Sequence, residues 1–160
     1  MADPIIEQLA AAVLAEVATV TEANNYNVTL SDVVRETRIA HNPRHLLAVI
    51  RQDYDDEIGI EHGNPAIITI PVVWIVTVYI LNSDRDTTAI DKLMNIVWAD
   101  VTKAVTKNWN DGTSAIDTLS YGWQVMAPQA FESGDGGYNQ IVCRYRSLVR
   151  VNENDPYTQR

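Results

Sequence analysis

Ile67-Ile68-Thr69-Ile70-Pro71-Val72-Val73-Trp74-Ile75-Val76-Thr77-Val78-Tyr79-Ile80-Leu81 is the stretch on which the fold turns. It holds no charged residue and is dominated by β-branched Ile, Val and Thr, which favour extended chain over helix. At ~3.3 Å per residue it would extend about 50 Å as one strand, beyond the usual length, so a break at Pro71 is expected. Ile68, Ile70, Val72, Trp74, Val76, Val78 and Ile80 fall on one face. Ile67, Val73, Ile75, Tyr79 and Leu81 fall on the other. A strand apolar on both faces is covered on both sides. Helices of the same chain can cover one face, and the second requires another layer or another subunit. The uncharged region 63–83 is long enough to span a bilayer, but Pro65, Pro71 and the β-branched content argue for strand, and no membrane helix is expected.

Helices flank this strand in the sequence. Residues 4–23 carry Ile5, Leu9, Val13, Val17 and Val20 on one stripe, with Asp3 placed to cap and Pro4 at the first helical position. Downstream, residues 83–86 supply caps and acid for a second helix in which Ile90, Leu93, Met94, Val97, Val101, Ala104 and Val105 recur at helical spacing. Short strands are expected at 26–30 and 33–40, joined as a hairpin through Ser31 and Asp32, and at 46–54 and 118–126. The closing segment 138–151 alternates cleanly. Ile141, Cys143, Tyr145, Val149 and Val151 lie on one face, with Gln140, Arg144, Arg146 and Arg150 on the other. The expected fold is α+β: a mainly antiparallel sheet of about five strands with two amphipathic helices packed on it, forming one domain over residues 1–151, followed by a polar tail over 152–160.

Composition narrows the function. The chain has 160 residues, with 12 Lys and Arg against 21 Asp and Glu, a formal net charge of −9. A single domain of this size can bury a core without metals or disulfides. The acidic balance disfavours broad binding to nucleic-acid phosphates, although it allows DNA to slide past. Cys143 is the only cysteine, which excludes an intramolecular disulfide and a thiolate cluster, and fits a cytosolic setting. Asp3 and Glu7 stand where a secretory signal would need basic residues, so no export is expected.

Catalytic groupings are scarce. His41 and His45 are four apart, but Pro43 between them opposes the helix that zinc binding at this spacing needs. The run Asp53-Tyr54-Asp55-Asp56-Glu57 lacks the glycine and closing Glu of a calcium loop, and reads as a solvated turn. Ser133-Gly134-Asp135-Gly136-Gly137 has no Lys-Ser/Thr continuation for a phosphate cradle. Cys143, on the apolar face of its strand, reads as a small buried hydrophobe. No catalytic, metal or cofactor residue is therefore expected, and the chain reads as a part for assembly.

The organisation resembles the tail terminator, or tail completion, proteins of long-tailed bacteriophages over most of the chain. The resemblance rests on the opening helix Ile5-Ile6-Glu7-Gln8-Leu9, the strand Val33-Val34-Arg35-Glu36-Thr37-Arg38, the strand-rich middle, the amphipathic second helix and the closing Ile141-Val142-Cys143-Arg144-Tyr145-Arg146. It is one of organisation and carries no diagnostic motif. It implies a non-enzymatic virion protein forming a homohexameric ring on the last ring of tail-tube protein. Such a ring stops tube growth and offers a docking surface to the head–tail connector or neck, and to sheath protein if the tail is contractile. DNA passes through the lumen without specific binding, no membrane is involved, and assembly takes place in the host cytoplasm. Under this resemblance Asp53, Asp55, Asp56 and Glu57 are expected at the lumen or a rim, and Trp74, Val76, Val78, Arg144, Arg146 and Arg150 at subunit interfaces. The alternatives are a head completion or connector ring of a phage neck and, from another class, a small metal-dependent hydrolase using the acidic run and His62.

Overall fold

The computed structural model describes residues 3–37, 42–54, 59–61, 66–81, 89–107, 109, 115–131 and 137–159. Its centre is β4 (Ile67–Leu81), paired antiparallel along its whole length with β6 (Tyr138–Asn152). β2 (Leu47–Tyr54) pairs antiparallel with the other side of β4 over Val72 to Tyr79, and β3 (Gly59–Glu61) continues that side over Ile67 to Thr69. β1 (Asp32–Arg35) lies parallel to β2 at one margin, and β5 (Tyr121–Phe131) lies antiparallel to β6 at the other. The path is β1-β2-β4-β6-β5, with β3 and β7 (Asp155–Gln159) attached to β4 and β6. The α+β class is as expected, with seven strands among the described residues where about five were anticipated.

The break expected at Pro71 does not occur, and β4 runs through it. The ladder to β2 ends at Val72 and that to β3 begins at Thr69, so Pro71 falls between them. That interval is where a long inner strand tolerates a missing N–H.

α1 (Ile5–Ala18) and α2 (Ile90–Thr106) pack on one face of the sheet, helped by the short α3 (Ala115–Leu119). α1 buries Ile5, Leu9, Ala10, Val13 and Val17. α2 buries Met94, Val97, Val101, Ala104 and Val105. They meet Ala48 and Ile50 of β2, the even-numbered residues from Val72 to Ile80 of β4, and Ile141, Cys143, Tyr145, Val149 and Val151 of β6. Register explains this single face: Ile50 stands opposite Val76, which stands opposite Cys143, and Trp74 stands opposite Tyr145.

Three other expectations change. α1 ends at Ala18, and a short 3-10 turn follows over Glu22–Asn24, where Asn25 takes the left-handed conformation (φ 63) that stops it. Residues 26–30 form no strand, although Tyr26, Val28 and Leu30 are buried. Their N–H groups go elsewhere: Asn27 and Val28 donate to the Asp100 carboxylate and Leu30 to the Val20 carbonyl. The polar segment 152–160 does not trail as a tail, because Asp155–Gln159 turns back as β7 onto the end of β6. Residues 38–40 of the expected second strand, and the capping residues 83–86, lie outside the described residues.

Candidate assembly surface

The two faces of the sheet differ because the two rows of side chains differ. On the face away from α1 and α2, one row across the strands reads Arg51, Ile75, Arg144, Met126 and the next reads Val49, Thr77, Val142, Gln129. Beyond them lie Leu47, Tyr79, Gln140, Phe131 on one side and Asp53, Val73, Arg146, Gln124 on the other. Four of the nine arginines, Arg51, Arg144, Arg146 and Arg150, therefore stand on this face. Its apolar residues are still sheltered: Leu47, Val49, Val73 and Ile75 are buried, although they stand outside the core that the helices cover.

A cleft of about 310 Å³ opens on this face, lined by residues from every strand of the main path or its continuation, from Glu36 just past β1 to Phe131 at the end of β5. That both margins of the sheet contribute to one cleft means that the sheet curls toward this side. β5 forms the margin with an uncharged sequence, and Tyr121, Val125 and Phe131 are exposed along it. It carries a register shift between Tyr121 and Gln124, where Gly122 takes φ 62. A Cβ at Gly122 would also lie 3.1 Å from the Leu148 side chain.

The expected site residues separate sharply. Trp74, Val76 and Val78 have no exposed surface and lie under the chain's own helices, and the Trp74 indole N–H donates to Ser147 Oγ at 2.9 Å. A strand apolar on both sides conceals which face its helices take, and register puts these three opposite to the arginines. Arg144, Arg146 and Arg150 do lie together on the uncovered face, where Arg150 stacks over the Tyr121 ring at 4.7 Å. Asp53 is exposed on that same face, and its carboxylate accepts the N–H of Tyr54 at 2.9 Å. Asp55, Asp56 and Glu57 lie outside the described residues, as do His41 and His62. His45 is described, and its Nδ1 accepts the backbone N–H of Leu81 at 3.2 Å.

Arg51, Glu36, Gln129 and Phe131 were not singled out in the sequence. Alternation in β2 was the available signal for Arg51, since Ala48 and Ile50 take the helix side. On the covered face the missed residue is Asp100, buried in α2, whose carboxylate accepts Asn27 N at 2.6 Å, Asn27 Nδ2 at 2.9 Å and Val28 N at 3.0 Å. It sits at i+3 from Val97 on the apolar stripe, a position where an acid must find partners. Burial pushes the Cys143 thiol up to about 12, against a smaller opposing pull from its hydrogen bond with Tyr145, so at neutral pH it is a thiol and no nucleophile. Among the described residues no three His, Cys, Asp or Glu side chains gather as a metal site. No helix among them is long and apolar enough to cross a membrane.

These features define an α+β domain whose single curved sheet carries its helices on one face and whose other face, with its cleft and arginines, no described element covers. No family model matches the chain, and no curated protein matches it. Among solved structures it is similar to a chain in the virion of a native gene transfer agent particle, with 12% sequence identity, 92% of each chain covered and a TM-score of 0.39.

Proposed function

We propose that this chain is a structural protein of a tailed, phage-like particle, a tail terminator that forms a ring on the head-proximal end of the tail tube. The ring stops tube polymerisation and receives the head–tail connector. The observation that carries the reading is the uncovered sheet face. β4 is apolar on both sides and its own helices cover one, so the other, with its curled margins, uncharged edge strand β5 and arginine row, is suited to bury itself against further chains. The resemblance in organisation to tail terminator proteins supports the same reading.

Heterologous contact between one margin of the sheet and the other margin of a neighbour closes a ring when the rotation per copy allows it, and a homohexamer is the ring size the resemblance suggests. Arg144, Arg146 and Arg150 belong to the inter-subunit surface in this reading. The acidic run from Asp53 to Glu57 belongs to the lumen or a rim, where negative charge lets DNA pass without holding it.

Native mass spectrometry of the purified chain, alone and with the tail-tube protein of its particle, tests the proposal. The expected outcome is a ring that forms on, or is stabilised by, tube ends and shortens tube growth. Binding to portal or adaptor rings, with none to tube, would instead assign a head completion role. With the Asp53, Asp55, Asp56 and Glu57 acids changed to amides, rings should still form while DNA release slows. Failure of the ring to form in that variant would move the acids from the lumen to the interface.

A further inference from the structure

The cleft on the uncovered face has one arginine in its lining and a second beside it that no described residue pairs, with Glu36 as the acid of its lining. Arg51 lines it, and Arg144 adjoins it from the far side of Ile75; the three residues occupy one row of the sheet. Neither guanidinium makes an ion pair or a side-chain hydrogen bond with a described residue, and Nε of Arg144 is buried without an acceptor. Their backbones are two strand spacings apart, about 10 Å. In a chain with nine more acids than bases, two neighbouring arginines left unpaired among the described residues, over a buried isoleucine, form a recognition element. A buried donor without a partner is costly, and a carboxylate is the acceptor whose geometry a guanidinium fits best.

We propose that this cleft docks an extended acidic segment of another polypeptide chain, its carboxylates held by Arg51 and Arg144. The floor of Val49, Ile75 and Val142 is apolar and Phe131 forms a wall, so the occupant alternates acidic with apolar side chains, as an extended peptide does. Gln129 and Gln140 offer both donors and acceptors to its backbone. Glu36 at the β1 end repels a carboxylate beyond Arg51 and confines the acidic positions to the span between Arg51 and Arg144. Polypeptide fits better than nucleic acid, because the cleft lining holds one arginine and one glutamate beside apolar side chains, in a chain of net charge −9, which is no cationic track for a phosphate backbone. The inference stands on the cleft and does not depend on the ring.

Fluorescence anisotropy with the full chain and a short labelled peptide of alternating Glu and Val tests it, beside the same peptide with Gln for Glu and a single-stranded oligonucleotide. The Glu–Val peptide should bind saturably and more weakly as salt rises. R51Q/R144Q should weaken it about tenfold or more, whereas R44Q, which removes only the exposed Arg44–Asp32 pair, should leave it unchanged. In wild-type protein the peptide should shift the NMR amide signals of Thr77, Gln129 and Val142, a readout that stands if the double variant folds poorly. Four results would overturn the proposal: equal binding of the Gln–Val peptide, no loss in a folded R51Q/R144Q, amide shifts confined to other regions, or an oligonucleotide that binds as tightly as the acidic peptide. So would self-association that responds to R51Q/R144Q while the peptide does not bind, which would assign the cleft to a second copy.

Discussion

The two faces of β4 are made from nearly the same residue types, yet one lies under the chain's helices and the other has no described helix over it. Trp74, Val76 and Val78 meet α1 and α2 and lose all contact with solvent. One residue along in each case, Val73, Ile75 and Thr77 lie on the face away from the helices, where Val73 stands in register with Asp53 and Arg146, Ile75 with Arg51 and Arg144, and Thr77 with Val49 and Val142. The difference teaches that β4 itself does not decide its own faces. Its neighbours do: β2 and β6 supply Ile50, Cys143 and Tyr145 to one side and Arg51 and Arg144 to the other. Stability should therefore concentrate on the helix side and association on the arginine side.

The strongest way to break this division is to excavate the covered face. Trp74→Ala removes the largest fully buried side chain and its bond to Ser147, and should cost about 3–5 kcal/mol in urea or thermal unfolding. A loss below about 1 kcal/mol would mean that the helices do not rest on this face as described. Asp100→Ala comes next, at about 1–3 kcal/mol, because it strands the buried Val28 N–H and removes the acceptor of two part-buried Asn27 donors. Asp100→Asn should recover part of this loss, keeping one acceptor oxygen.

Period-two and period-3.6 patterns made much of the fold legible. The alternation of Ile141, Cys143, Tyr145 against Gln140, Arg144, Arg146 gave β6 and its two faces, and the stripe from Ile90 to Val105 gave α2. What failed to show was decided by partners distant in sequence. Tyr26, Val28 and Leu30 alternate like a strand, yet the N–H groups of Asn27 and Val28 go to a carboxylate some 70 residues away, and those of Tyr26 and Leu30 to the carbonyls of Thr21 and Val20. β1 pairs parallel with β2 instead of forming a hairpin, a choice no local turn signal records. β7 is polar, contains Pro156 and sits at the end of the sheet, where pairing depends on β6 being there. For the site, Arg144, Arg146 and Arg150 were legible as a face, but Trp74 was grouped with them because register across strands was not visible. Tyr145 opposite Trp74, and Arg144 opposite Ile75, separate the two sets.

Two smaller effects sharpen the comparison. Gly122→Ala places a side chain at φ 62 and within 3.1 Å of Leu148, so unfolding should come earlier by about 1–2 kcal/mol, a strain cost confined to the margin of the sheet. Alkaline pH reads the covered face by titration. The Cys143 thiol, pushed up to about 12 by burial, keeps its proton in the folded chain and loses it near 9 once unfolded. The folded state then binds more protons over that interval, so the stability it contributes is present below about pH 9 and declines as pH rises toward 12. Tyr145, also raised by burial, acts in the same direction. Cys143→Ala should flatten this decline, and in the wild type a thiol reagent at neutral pH should label Cys143 only after denaturant unfolds the chain.

The smallest stability effect should come from the largest apolar exposure in β5. Phe131 is 52% exposed at the edge of the uncovered face, and Phe131→Ser removes a ring that buries little within the chain. Its unfolding free energy should move by no more than about 0.5 kcal/mol. Its association should change far more, because an exposed aromatic on an uncharged edge strand is an anchor for whatever covers that strand. Sedimentation of the variant with and without its partners, set beside the same measurement on Trp74→Ala at a temperature where both are folded, separates the two faces directly. A Phe131→Ser chain that unfolds early but associates normally would reverse the division, making the edge of the sheet part of the core and leaving the arginine row as the sole candidate for contact with other chains.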